Sequence, residues 1–328
     1  MQRRSFITAL GGAVVLVLPL SAQTARRFRM GLLSTGSFSS DTNPGKLTED
    51  IERRLAQNGL TTGTNLELIK RGAEGHPERL PALVAELAGA KVDVIVAFSY
   101  PAAVAAKEGT SSLPIVIFGT GDPVVTHLVD SLNRPGGNVT GISDVAAELA
   151  PKRLELLKQA APRLRRVAVL WNAKDLGMTT RYRASAAAAK ELGVTVMSFG
   201  VGEPNDFGDA FETMGRDMPD GLLMVADALT FLNRKRVFDF AAEHHLPAIY
   251  ETSSFARDGG LMSYGPDEQE TADHGASLIL RILKGEKPAN LPLEQPTRYR
   301  LVINLKTSKA LGLTIPPGLL ISADEVIE

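Results

Sequence analysis

Apolar runs rich in Val, Ile and Leu stand at 30–33, 94–98 and 115–118, each too continuous to alternate between a wet and a dry face, and 66–69, broken by Glu67, reads as a further strand. Runs of this kind fit parallel strands covered on both sides. Between them the apolar positions take the helical period. Leu47, Ile51 and Leu55 share one face, Leu80, Val84 and Leu87 share another, and Gly59 stands where the first of these helices would stop. A short helix is expected at 101–107. The same grammar restarts further on, with helix at 149–160, 179–192, 207–214 and 229–244, and strand at 167–170, 194–199, 221–225, 247–250 and 261–264. A helix at 267–284 opens with Asp267 and Glu270 at capping-box spacing and closes on Gly285, before a last strand at 299–304. Strand and helix in alternation predict an α/β fold with parallel sheets. Because the pattern runs twice, it predicts two Rossmann-like lobes.

The stretch 114–144 separates the two runs. Gly119, Gly121, Asp122 and Pro123 break the strand 115–118, and Pro123 suits the first turn of a helix that would end near Asn133. The free N–H groups of such a helix would offer an anion site. After the turn at Arg134-Pro135-Gly136-Gly137-Asn138, the strand 139–142 would cross to the second lobe. Two further crossings are expected, near 250–254 and within 288–299, giving a multi-stranded hinge. On this reading lobe 1 comprises 28–141 with 253–290, and lobe 2 with the hinge comprises 142–252 with 291–328.

Composition narrows the class. The 328 residues are 44% hydrophobic, enough for two medium cores, and 36 basic against 37 acidic residues leave no electrostatic footprint for nucleic acid. Residues 1–25 read as a cleaved export signal. Arg3 and Arg4 precede an uncharged run at 9–20, and small residues follow at Ser21 and Ala22. The arginine pair favours twin-arginine export over an ordinary secretory signal. The run is shorter than the roughly 20 residues that span a bilayer. With no cysteine in the sequence, disulfides and a lipid-modified cysteine are both excluded, so a soluble periplasmic protein is expected.

Ligands of open α/β sheets sit at the carboxyl ends of the strands. There the first lobe would deliver Ser34, Thr35 and Phe38, then Ser99 and Tyr100, then Gly121 and Asp122. The second would deliver Trp171 and Asn172, then Asp227, then Tyr250 and Glu251. Hydroxyls and helix N-termini suit a carboxylate, the aromatics suit stacking, and Asp122, Asp227 and Glu251 suit an ammonium. Asp122 and Asp227 serve equally well as N-caps, and Trp171 as a core filler. The five histidines form no metal-ligand motif, and no nucleophile elbow, phosphate-binding loop or dinucleotide fingerprint occurs. No catalytic residue, metal or cofactor is assigned.

Three blocks, DPV at 122–124, SLNRPGGNVTG at 131–141 and LAPKRLELLKQAAPRLRRVAVLWN at 149–172, resemble the ABC-transporter substrate-binding proteins of the tryptophan/tyrosine-binding type. LPAIYE at 246–251, GGLMSYG at 259–265 and YRLVINLKTSKALGL at 299–313 extend the resemblance over nearly the whole mature chain. It implies a type I periplasmic-binding-protein-like fold that closes on an aromatic or other amino acid and delivers its ligand to an ABC permease, and a monomer suits a protein that must dock through both lobes. The sequence departs from the family at Tyr100, where Thr is more usual, and at Ala173, where Pro is more usual. A ligand-sensing subunit for a membrane receptor and a secreted hydrolase are the alternatives the same architecture would serve.

Overall fold

The computed structural model describes residues 26–39 and 42–328, so the export-signal reading lies outside the described residues. The first lobe is built from β1 (Phe28–Ser34), α1 (Asn43–Gln57), β2 (Leu66–Gly72), α2 (Leu80–Gly89), β3 (Val94–Phe98), α3 (Tyr100–Gly109), β4 (Ile115–Phe118) and β5 (Val139–Gly141). Its sheet is parallel throughout, in the order β2-β1-β3-β4-β5. All five residues of β3 and all four of β4 are buried, as their unbroken apolar runs demand.

The second lobe contains α4 (Ala150–Ala160), β6 (Arg166–Asn172), α5 (Leu176–Glu191), β7 (Thr195–Val201), α6 (Asp206–Arg216), β8 (Gly221–Met224), α7 (Ala228–Leu232), α8 (Arg234–Glu243), β9 (Ala248–Tyr250), α9 (Ser253–Arg257) and β10 (Met262–Pro266). The chain then forms α10 (Glu268–Leu283) and returns as β11 (Tyr299–Asn304), α11 (Leu305–Ala310), α12 (Pro317–Ile321) and β12 (Glu325–Ile327). The second sheet runs β12-β11-β10-β9-β8-β6-β7, and only the β10–β11 pair is antiparallel. Two lobes of parallel sheet are therefore present, as the double alternation predicts.

Three expectations need correction. The strand at 247–250 does not cross back: Tyr250 pairs with Met224 on one side and Ser263 on the other, so 253–266 stays in the second sheet. The return to the first lobe is made by α10, where Ala272, Ala276, Ile279 and Ile282 pack with Met30, Leu55 and Phe118 in one core, and by the segment after it, where Leu291 joins the same core. The second crossing is thus at Pro266-Asp267. Second, no helix follows Pro123. The Asp122 carboxylate accepts from the N–H groups of Val124 and Val125, the Pro123 carbonyl accepts from Leu128 and Val129, and His127 adopts a φ of 58°, which stops a helix after one turn. Third, Asp267 does cap α10 by accepting from Glu270 N–H at 2.8 Å, but the Glu270 carboxylate turns away from the cap to accept from the N–H groups of Thr297 and Arg298.

That last contact ties two crossings together. Ile142 bridges Glu294, whose N–H donates to Gly141 and whose carbonyl accepts from Ser143, both at 2.9 Å. Thr140 donates to the Leu291 carbonyl at 2.8 Å, and the Asp267 N–H donates to Arg298 at 3.0 Å. All three crossings are thereby laced into one hinge by backbone hydrogen bonds, in keeping with hinge motion of two preformed lobes.

Candidate functional site

Each lobe reverses its strand order once, between β1 and β3 in the first and between β6 and β8 in the second. A crevice opens at such a switch point, because the loops that follow the two strands leave in opposite directions. Both switch points carry a hydrogen-bonded polar pair. In the first lobe Thr35 Oγ1 and Ser99 Oγ share a hydrogen bond of 2.6 Å; in the second, Asn172 Nδ2 donates to Asp227 Oδ2 at 2.5 Å. Ser99 has a φ of 100°, in the region that favours glycine. The Thr35 contact, its N–H bond to the Phe118 carbonyl and its capping of Ala102 N–H hold it there.

The two crevices face one another and enclose a cavity of about 200 Å³. Its first-lobe wall includes Ser34, Ser37 and Ser99 together with Phe98 and Phe118, whose rings stack at 5.4 Å. The second-lobe wall includes Asp227 and Glu251, with Phe231 and Phe255 tilted against each other at 5.4 Å. One surface is thus aromatic and another hydroxylic and charged, as an amphipathic solute requires.

At the charged end the cavity wall runs into a buried network of Asp144, Arg153, Arg181 and Glu251. Arg153 is 1% exposed, Arg181 4% and Glu251 3%. Glu251 Oε1 accepts from Arg153 Nη1 at 3.0 Å, while its Oε2 accepts from Arg181 Nη1 at 2.8 Å and from Ala226 N–H at 3.0 Å. Arg181 also pairs with Asp144. Arg153 donates to the carbonyls of Ala146 and Tyr264 at 2.7 and 2.8 Å, yet its Nη2 and the Arg181 Nε have no partner. Burial raises the pKa of Asp144 against the pull of Arg181. Burial also raises that of Asp227, although Thr230 and Asn172 donate to it.

Of the residues picked from the sequence, Ser34, Ser99, Asp227 and Glu251 line the cavity. The rest stand behind or beside it. Thr35 orients Ser99, and Asn172 orients Asp227. Phe38 meets Phe98 edge-on at 5.8 Å and so backs the aromatic wall. Trp171 stacks on Tyr182 at 4.5 Å and donates to Ser198, packing against the second-lobe core instead of a ligand. Tyr250 is a core residue between Phe238 and Phe255. Tyr100, Gly121 and Asp122 sit by the lip of the cleft, where Tyr100 and Gly121 meet Gly177 of the other lobe. Glu251 is not free for an ammonium, since both its oxygens are taken by arginines. Asp227 caps α7 through a capping box with Thr230 and lines the cavity as well, so the capping and cleft readings hold together.

Sequence reasoning missed Phe98, Phe118, Phe231, Phe255 and the arginine pair. For the arginines a signal existed. Arg153 falls on the stripe Ala150, Leu154, Leu157, and Arg181 on the stripe Met178, Ser185, Ala188, all buried. An arginine on an otherwise apolar helix face must be paired inside the fold. Among the described residues no cluster of His, Asp or Glu is arranged to hold a metal, and no helix is long and apolar enough to cross a membrane.

Several known proteins are similar to this chain in sequence and fold. A tyrosine-binding protein of Clostridioides difficile is 26% identical over 268 residues, covering 82% of this chain and 77% of that protein. The structure of an ABC domain in complex with L-Trp from Streptococcus pneumonia superposes with a TM-score of 0.84 at 26% identity, over 92% of this chain and 100% of that one. A ligand-free, open structure of a substrate binding protein with adhesive properties from Clostridium difficile gives 0.65 at 25% identity, over 92% and 99%. The model of the ABC transporter substrate binding protein family matches residues 45–327, and the chain belongs to that family.

Proposed function

We propose that this chain binds one aromatic α-amino acid between its lobes and presents the closed form, as a single chain in the periplasm, to an ABC permease. The observation that carries the reading is the apposition of the two switch points. A Cβ on Gly36 would lie 3.6 Å from the Ala228 Cβ and 3.8 Å from Ser34 Oγ, so Ser34 of one lobe and Asp227 of the other flank the same end of the cavity. An α-amino acid carries its anion and its cation on one carbon and fits such an end. Asp227 takes the ammonium; Ser34 and Ser99 take the carboxylate; the side chain lies along Phe98, Phe118, Phe231 and Phe255.

Size agrees with this. A cavity of about 150 Å³ takes benzene, and about 200 Å³ leaves room for one ring with a short polar head. The lobes are arranged more like the L-Trp complex than like the open structure, at nearly equal identity to both. Because both lobes contribute contacts only when closed, the ligand's differential affinity for the closed form drives closure.

Thermal unfolding against L-tryptophan, L-tyrosine and L-phenylalanine tests the reading, since a ligand at 100 times its Kd adds about 2.7 kcal/mol. Asp227→Asn keeps an oxygen for the α7 cap but loses the charge, so it is expected to fold normally and to lose at least tenfold in affinity. Unchanged affinity in that variant, or no shift with any amino acid, refutes the assignment.

A further inference from the structure

The lobes touch along two lips of the cleft. On one, Gly36 meets Ala228, and a Cβ on Gly75 would lie 3.8 Å from Leu232 Cδ1. On the other, the loop after β4 meets the first turn of α5. A Cβ on Gly121 would fall 3.1 Å from both Cα and O of Gly177. A Cβ on Gly177 would fall 2.7 Å from the Thr120 carbonyl oxygen, 3.2 Å from the Tyr100 Cβ and 3.1 Å from Asp175 Oδ1. The nearest of these neighbours is backbone and cannot rotate aside. Neither glycine lines the cavity.

Gly177 is the second residue of α5 and has no positive φ that would call for glycine. Its own lobe brings only the capping Asp175 Oδ1 near that position, at 3.1 Å, and the tightest approach, 2.7 Å, comes from the opposite lobe. We infer that Gly121 and Gly177 form a side-chain-free seat on which the lobes close, and that Gly177 thereby sets the affinity for a ligand it never touches. It acts as a positioning residue. An added methyl wedges this lip apart while each lobe stays intact, so the closed fraction falls, and the apparent affinity falls in proportion.

The inference rests on the binding reading for its consequence, but closure can be read without any ligand. With no cysteine in the chain, the double variant Gly36→Cys/Ala228→Cys is a clean trap: the 3.6 Å between its Cβ positions lies inside the disulfide range of about 3.5–4.5 Å. Under a mild oxidant this pair is expected to cross-link within the chain. Adding Gly177→Ala should slow cross-linking at least tenfold, while Gly208→Ala, a helical glycine with open space around it, should leave the rate unchanged. In the absence of the trap, Gly177→Ala should weaken L-tryptophan binding at least tenfold with no fall in the unfolding temperature of the ligand-free protein. Cross-linking at the same rate with Gly177→Ala, equal slowing by Gly208→Ala, or no cross-linking in the parent overturns the inference. If L-tryptophan fails to bind the unmodified chain, the ligand assignment falls and the trap still decides the role of Gly177.

Discussion

Replacing Glu251 by alanine removes the carboxylate that the two buried arginines share. The carboxylate takes three hydrogen bonds, from Arg153, Arg181 and Ala226 N–H, at 2.8–3.0 Å. Its removal leaves Arg153 with carbonyl partners only, at 1% exposure, while Arg181 keeps Asp144. Stripping one partner from a buried ion pair costs about 3–5 kcal/mol, chiefly because the remaining charge stays buried and unpaired. Against a usual stability of about 5–15 kcal/mol, the loss is a large fraction of the whole. Equilibrium urea unfolding reads it, provided the slope with denaturant is unchanged. The double variant Arg153→Met/Glu251→Leu removes both charges, leaves Arg181 with Asp144, and should recover more than half of the loss, since an apolar replacement of a buried pair is often neutral. A cost below about 1 kcal/mol for Glu251→Ala, or a double variant no better than the single one, refutes the view that the network is held by charge compensation.

Two further outcomes follow from the geometry. A Cβ on Gly275 would lie 2.3 Å from Phe118 Cζ, so Gly275→Ala drives that ring toward the cavity. Isothermal calorimetry should then show L-tryptophan losing about tenfold more affinity than L-phenylalanine, a difference of about 1.4 kcal/mol. Adding Phe118→Leu should restore it, and equal losses for both ligands would contradict the argument. Burial, with the charge of Asp227 second, raises the Asp175 carboxyl to about 7. The folded protein therefore keeps a proton that the unfolded chain has released, so this group's contribution to stability falls as pH rises from about 4 to about 7, by up to about 1.4 kcal/mol per unit. Asp175→Asn, which still caps α5, should flatten the unfolding temperature across that window; an unchanged slope shows that the proton is held elsewhere.

The frame of the fold was legible because its central strands, such as β3 and β4, are buried on both faces and show as unbroken apolar runs. Reading the carboxyl ends of the strands picked Ser34, Ser99, Asp227 and Glu251, which line the cavity, together with eight residues that do not. The aromatic wall was not legible. Phe98 and Phe118 are the last residues of their strands, and periodicity does not tell a core ring from one facing a crevice. Trp171 failed for the converse reason: it ends no strand, and the face it takes is set by α5, through Tyr182. The helix after Pro123 failed on turn chemistry, since Val124, Val125 and Thr126 are β-branched and gain less from continuing a helix than from the turn that Asp122 closes. The second crossing was misplaced because a five-residue helix suffices to join two neighbouring parallel strands.

The return of α10 to the first lobe bears on how the chain is made. Met30 and Leu55, near the start, share a core with Ile279 and Ile282, more than 200 residues later. During synthesis from the N-terminus, the part of this sheet face that α1 leaves uncovered must wait until residues 268–283 have emerged. The second lobe's core helices and strands from 150 to 266 arrive before that seal. The lobe encoded first is therefore sealed only after most of the second has been made, and the interval before that seal is when its apolar face is most exposed to aggregation.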